Sequence, residues 1–263
     1  MAFFKSPSVE GPGVSKNEPE KRGVIKFFEL FFRYYGKLMS AGLLKCLFDL
    51  GLITSGLGSI GSARIARNVS RARHVFGTEF SDAIKENWKQ ALIMGIINNI
   101  LSALSIFSII YFYNDVKDSI NFCFMVISFI AFLVITFMRF YSSAVLLMFK
   151  VSIGQLYKNC FILAFAGAKR NFIIFISQVL MYALVLSPML IDIYVGFGIA
   201  VCLGLLVIPP MSIFIVQYNI FPVMMKYLIE PFMKNHPGEG ENTLRELGLI
   251  EEKVEPLMVD DVE

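Results

Sequence analysis

Arg139, Lys45, Asp49 and the pair Asn98-Asn99 stand inside stretches that are otherwise almost entirely apolar. Such residues are where chemistry is to be sought, because an unpaired charge in hydrocarbon is expensive and persists only with acceptors or water. A guanidinium cannot shed its charge, so Arg139 must find one or the other. It lies eleven residues before Lys150, or about 16 Å from the inner interface at helical rise. Lys45 and Asp49 are four apart and can meet on one helical face. Two readings are open. Asp49, Asn98, Asn99 and Arg139 could wall a polar cavity, in a candidate intramembrane polar cluster that also includes Lys45. Alternatively they pair structurally, Lys45 with Asp49, and Arg139 with a helix C-terminus or a carboxylate, Asp49 being nearest by depth. Asp192, at the outer end of a later span, reads as an ordinary outer-surface residue.

Enzymatic patterns are missing. The chain has no HExxH, paired CxxC, Walker loop, Rossmann fingerprint or nucleophile elbow. His74 and His236 fall in or near segments expected to be cytoplasmic and solvated. Cys46, Cys123, Cys160 and Cys202 lie in apolar stretches without ligand spacing, and are expected to pack as small side chains. No catalytic residue, metal or cofactor is therefore expected.

Composition explains why the polar residues are so isolated. Of 263 residues, 56% are apolar, only 17% are charged, and 26 are Phe. A soluble domain runs near about 45–50% and about 25%. With mean hydropathy at +0.64, an ordinary water-soluble enzyme is excluded. The net charge of +3 hides an asymmetry: residues 234–263 hold three basic and nine acidic side chains, leaving +9 on the rest. The basic residues flank apolar spans and form no continuous face, so a nucleic-acid partner is not expected. An anionic leaflet is the natural counterpart.

Three regions follow. Residues 1–24, rich in Pro, Gly, Ser, Lys and Glu, are expected to be disordered, and they do not read as a signal peptide. Residues 25–233 form a helical membrane domain, and 234–263 an acidic cytoplasmic tail. Four spans are explicit: Ala91–Tyr113, Ile120–Phe149, Phe172–Ile191 and about Val195–Pro222. Each has the roughly 20 apolar residues that a crossing needs, and in lipid each must be helical. Pro209-Pro210 is expected to interrupt the last of them, either as a break that frees carbonyls for a binding site or as a simple kink.

The Lys and Arg residues are concentrated in 1–37, 64–90, 150–171 and beyond 222, and nearly absent from 114–119 and 192–195. The positive-inside rule then places both termini in the cytoplasm. An even number of crossings must fit between residues 37 and 64. A hairpin of Phe27–Leu50 and a glycine-rich limb from Leu52 supplies it, with small residues in two rows, Gly51-Ser55-Ser59-Ala63 and Thr54-Gly58-Ser62-Ala66. About six crossings are expected, five being the alternative if this region crosses once. Two further amphipathic stretches are expected as interfacial cytoplasmic helices. One carries Phe80, Ile84 and Trp88 on one face; the other is SIGQLYKNCFILAFAGAKRN.

The run ITSGLGSIGSARIARN followed by FSDAIKENWKQA, and later QLYKNCFILAFAGAKRNFIIF, resembles the YesL-like family of bacterial integral membrane proteins. The similarity extends from about Phe27 to Lys226, with Gly51 and Gly56 standing where the family often has a hairpin proline. The resemblance implies a compact all-α, polytopic domain in the bacterial cell membrane, often in carbohydrate-utilisation settings, with no catalytic residues to carry over. Two functional classes result. One is a protein involved in, or accessory to, solute transport; the other is a non-transporting interaction or assembly protein using its amphipathic helices. The lipid bilayer is the expected partner, with a membrane or cytoplasmic protein as a second.

Overall fold

Backbone N–H and C=O groups have no water to bond in hydrocarbon, so the apolar runs close their hydrogen bonds within helices. The computed structural model describes residues 23–71, 73, 77–114, 118–149 and 151–231, and among these it is helical throughout, without strands. Eight α-helices follow in order: α1 Val24–Arg33, α2 Tyr35–Leu50, α3 Ser55–Ser70, α4 Glu79–Asn114, α5 Ser119–Met148, α6 Ile153–Ala166, α7 Ala168–Leu186 and α8 Ile193–Met224. The expected N-terminal disorder up to residue 22 and the acidic tail lie outside the described residues.

Four helical segments are long and apolar enough to cross a membrane: Glu79–Asn114, Ser119–Met148, Ala168–Leu190 and Ile193–Ile229. They correspond to the four explicit spans of the sequence. The local signals that bound them are conventional. Asp118 caps α5, its carboxylate accepting from the Ile120 amide at 3.3 Å. Asp192 caps α8, accepting from Tyr194 and Val195 at 2.9 and 2.8 Å. A Ser152/Gln155 capping box starts α6.

One expectation is corrected. Pro209 and Pro210 do not break the last span: both are buried inside a continuous α8. Each proline deprives the carbonyl four residues earlier of its partner, and for Pro210 that carbonyl belongs to Leu206. The Tyr35 hydroxyl donates to it at 2.7 Å, so a side chain from α2 replaces the missing backbone donor. The helix expected around Phe80–Trp88 forms as the first part of α4, set off from the span by a kink at Asn87, where the backbone leaves helical geometry. Phe80 is buried, but Trp88 is exposed, because the bend rephases the helix between them.

The hairpin does form, from two 16-residue helices. At about 1.5 Å per residue each is about 24 Å long, short of the ~30 Å of hydrocarbon. Its turn is tied by the Thr54 hydroxyl, which lies 2.7 Å from the Phe48 carbonyl and 2.9 Å from that of Gly51. The tip is apolar and uncovered, with Leu50, Leu52 and Ile53 83%, 72% and 64% exposed. The Leu52 carbonyl accepts from Asn99 at 2.7 Å. Asn99 lies eight residues beyond Ala91, so the tip meets α4 about 12 Å along its apolar stretch.

Glycines set how closely the hairpin packs. A Cβ on Gly95 of α4 would lie 2.5 Å from the Gly56 nitrogen of α3, so two backbones touch there. A Cβ on Gly42 would lie 2.6 Å from the Pro209 carbonyl carbon, setting α2 against α8. The rows of small residues pack as expected in part. Gly58 packs on Phe48 and Lys45, and Ser55 lies against Gly95 of α4, but Ser55, Ser59, Ser62 and Ala63 also line a cavity. Around this frame the largest buried side chains include Tyr141, Phe214, Leu38 and Met94. Cys160 alone of the four cysteines is buried; Cys46, Cys123 and Cys202 are exposed, on helix faces turned outward from the packed core.

Replacing Gly95 by Leu is expected to lower thermal stability in detergent by at least about 1–3 kcal/mol, since neither backbone can retreat without reopening α3–α4. Gly36→Ala, at a helical site with open space around it, is the control and should match or exceed the parent. Equal melting of Gly95→Leu and the parent would disprove the backbone contact.

Candidate functional site: a polar cavity among α3, α4, α5, α7 and α8

Ser, Thr, Asn and Gln are unusual company for Phe and Ile in a membrane domain, and the fold gathers them. A cavity of about 320 Å³ lies among α3, α4, α5, α7 and α8, with Lys45 contributed by α2. From the sequence-predicted residues it brings together Lys45, Asn98, Asn99 and Arg139. Asp49 is not in the wall, and its carboxylate is ion-paired with the Lys45 ammonium.

Each residue has a distinct position. Asn98 is buried; its Nδ2 donates to Ser142 Oγ at 3.2 Å, and its Oδ1 accepts from the Tyr157 hydroxyl at 2.8 Å. Asn99, one residue on and about 100° around the helix, turns to the hairpin instead. Its Nδ2 reaches the Leu52 carbonyl and Ser55 Oγ, the latter at 2.8 Å. Together the two amides lock the hairpin, α5 and α6 to the middle of α4. Buried polar groups held on several sides in this way rigidify the site they surround.

Arg139 is exposed towards the cavity and donates from Nη1 to Ser102 Oγ at 3.0 Å. It forms no ion pair with Asp49, which is engaged by Lys45 four residues before it on the same helix. A local partner on one helix face leaves no need for a distant one. A guanidinium has five N–H donors, so most of those on Arg139 remain available to whatever fills the cavity. No carboxylate lines the cavity among the described residues. With Lys45 offset by Asp49, the wall carries about one net positive charge, on Arg139. It is otherwise a surface of hydroxyls and amides, each able to donate and accept.

Several wall residues escaped the sequence reading. Ser142 and Ser143 on α5, Gln178 on α7, and Ser212 and Gln217 on α8 all face the cavity, and Gln178 Nε2 donates to Ser212 Oγ at 3.3 Å. Their signal was available, since each is a polar side chain inside a predicted span. A second network lies beneath. Tyr141, buried on α5, donates to Asn171 Oδ1 at 2.7 Å, and Asn171 Nδ2 donates to the Ala164 carbonyl at 2.9 Å. Gly167 makes room for that hydroxyl, because any Cβ there would collide with it.

Compared with protein-family models, with curated proteins and with solved structures, the chain matches none. The site must therefore be read from its own geometry.

Because Asp49 is ion-paired with Lys45 and Arg139 is hydrogen-bonded to Ser102, a double-mutant cycle with Asp49→Asn and Arg139→Leu should show a coupling well below the ~3 kcal/mol of a buried pair. Thermal melting of the singles and the double in detergent measures it. A coupling of ~3 kcal/mol or more would restore a buried pair between them.

Proposed function

We propose that this integral membrane protein binds a small polar, carbohydrate-like solute in the cavity around Arg139, and acts in its transport or as an accessory to it. One observation carries the reading: a cavity of about 320 Å³ lined by hydroxyls, amides and one guanidinium that has no ion pair, inside helices long and apolar enough to cross a bilayer. Its volume falls at the lower end of the ~300–1,000 Å³ typical of small-ligand sites. Side chains that both donate and accept suit the hydroxyls of a polyol or sugar, and Arg139 suits an acidic group on it. The resemblance to the YesL-like family points in the same direction.

Uptake of radiolabelled neutral and acidic sugars into proteoliposomes tests the proposal. Arg139→Gln should reduce uptake or binding by about tenfold or more while leaving the melting temperature close to the parent. If no sugar is bound or taken up across such a panel, the interaction and assembly role replaces this reading.

The same reading assigns the topology. Both termini are cytoplasmic, and α2–α3 is a re-entrant hairpin that enters from the cytoplasm and turns back at the depth of Asn99. The six crossings of the charge count then become four crossings and one hairpin, with the even number preserved. An exposed apolar tip fits hydrocarbon, and backbone at that depth is tolerated where protein covers its polar groups, as Asn99 does for Leu52. Cysteine placed at Leu52 should resist a membrane-impermeant maleimide from either side. Labelling from outside would instead make α2 and α3 full crossings.

A further inference from the structure

A buried arginine without a counter-ion marks a second site, well apart from the cavity around Arg139 in character. Arg67, near the C-terminal end of α3, is 8% exposed. Its Nε and Nη1 are fully buried and have no hydrogen-bond partner. The side chain faces a separate cavity of about 220 Å³ that it shares with Arg64, Asn68, Arg73, Glu79 and Glu86. Leu147, one residue before the end of α5, completes the wall. The cavity therefore lies at the end of the helices where the basic residues concentrate, at the level of an anionic leaflet's headgroups.

The neighbouring carboxylates do not neutralise Arg67. Glu86 accepts from Arg64 at 2.8 Å, and Glu79 accepts from Asn68 at 2.7 Å. Three guanidiniums face two carboxylates in the wall, and Arg71 adds a fourth close by, stacked on the Phe221 ring at 4.1 Å. Burial first, then Arg64 and Arg73, pulls Arg67 down to about 10. It stays charged at neutral pH, and Glu79 and Glu86, engaged with other donors, offset only part of its desolvation. Breaking or omitting one side of a buried ion pair is strongly destabilising, and a mobile anion is the remaining way to complete it.

We infer that the cavity at Arg67 binds a phosphate group, held by the Arg67 and Arg73 guanidiniums. Planar guanidiniums match phosphate oxygens in bidentate fashion. Glu79 and Glu86, beside them, can accept from the hydroxyls of a phosphate or of the group that carries it. The phosphate could come from the headgroup of an anionic phospholipid in the adjoining leaflet or from a free phosphate in the cytoplasm. A cavity of this size takes a headgroup and leaves the acyl chains outside.

The full-length protein provides the test. In detergent its melting temperature is followed against sodium phosphate, with sodium chloride at matched ionic strength as reference. In nanodiscs it is followed with phosphatidylcholine alone or with added phosphatidylglycerol, and retained lipid is weighed by native mass spectrometry. The melting temperature should rise with phosphate, with phosphatidylglycerol, or with both. A rise with phosphate in detergent identifies the free anion; a rise confined to phosphatidylglycerol, with lipid retained, identifies the headgroup. Arg67→Met should melt at or above the unliganded parent and lose the ligand-dependent rise, with affinity reduced about tenfold or more. Arg73→Gln, at a less buried position, should weaken the rise and carries the test if Arg67→Met does not fold. No rise in the parent beyond the chloride and phosphatidylcholine references overturns the inference, as does a full rise in the folded variants.

Discussion

Two helix backbones touch where Gly56 meets Gly95, and the placement of the hairpin depends on that contact. A hairpin of two helices about 24 Å long cannot be held in a bilayer by apolar burial alone, because lipid tails are as apolar as its side chains. Close van der Waals approach and interhelical hydrogen bonds must do it. The glycine contact brings α3 near enough for Asn99 to reach Leu52 and Ser55. Once α3 is there, its serines become one wall of the cavity. A larger residue at either glycine would move the wall along with the helix.

The polar residues fall into two kinds according to whether the protein completes their bonding. Asn98, Asn171, Tyr141 and Tyr157 are answered on more than one side and act as fasteners between helices. Arg139 and Arg67 are answered incompletely, and each borders a cavity. One lies within a span and the other near the basic ends of the helices. Their surroundings differ to match: hydroxyls and amides around the first, further guanidiniums and carboxylates around the second. The same incomplete bonding thus points to different chemistry at the two depths.

Much of this was legible in the sequence, for reasons that can be traced to particular residues. The four long spans follow from apolar length, whereas the caps that start two of them, Asp118 and Asp192, were not read as caps. Lys45, Asn98, Asn99 and Arg139 were visible as polar residues in apolar runs, and the structure sets them around one cavity. Asp49 had two partners open to it in the sequence, and the structure pairs it with Lys45, four residues away on the same helix, where a depth argument alone had also offered Arg139. An interruption at Pro209-Pro210 was expected because local propensity shows a missing donor, whereas the donor that replaces it, Tyr35, is 171 residues distant. The Asn87 bend and the cavity-facing serines of α3 were equally hidden. Small residues at helical spacing look the same whether they face a neighbouring backbone or an opening.

The pairing of Tyr35 with Leu206 joins the first part of the membrane domain to the last. Gly42 seats on Pro209, Phe27 and Phe31 stack near Phe214, and the Tyr218 hydroxyl donates to the Gly23 carbonyl. Contacts of such sequence separation form late and are closed at an entropic cost. During synthesis from the N-terminus, α1 and α2 therefore emerge nearly two hundred residues before the surface that receives them. The hairpin must wait beside the ribosome's exit and the insertion machinery, shielded by lipid or by α4, until α8 arrives. Completion of the fold is in this sense a signal that the whole membrane domain has been made.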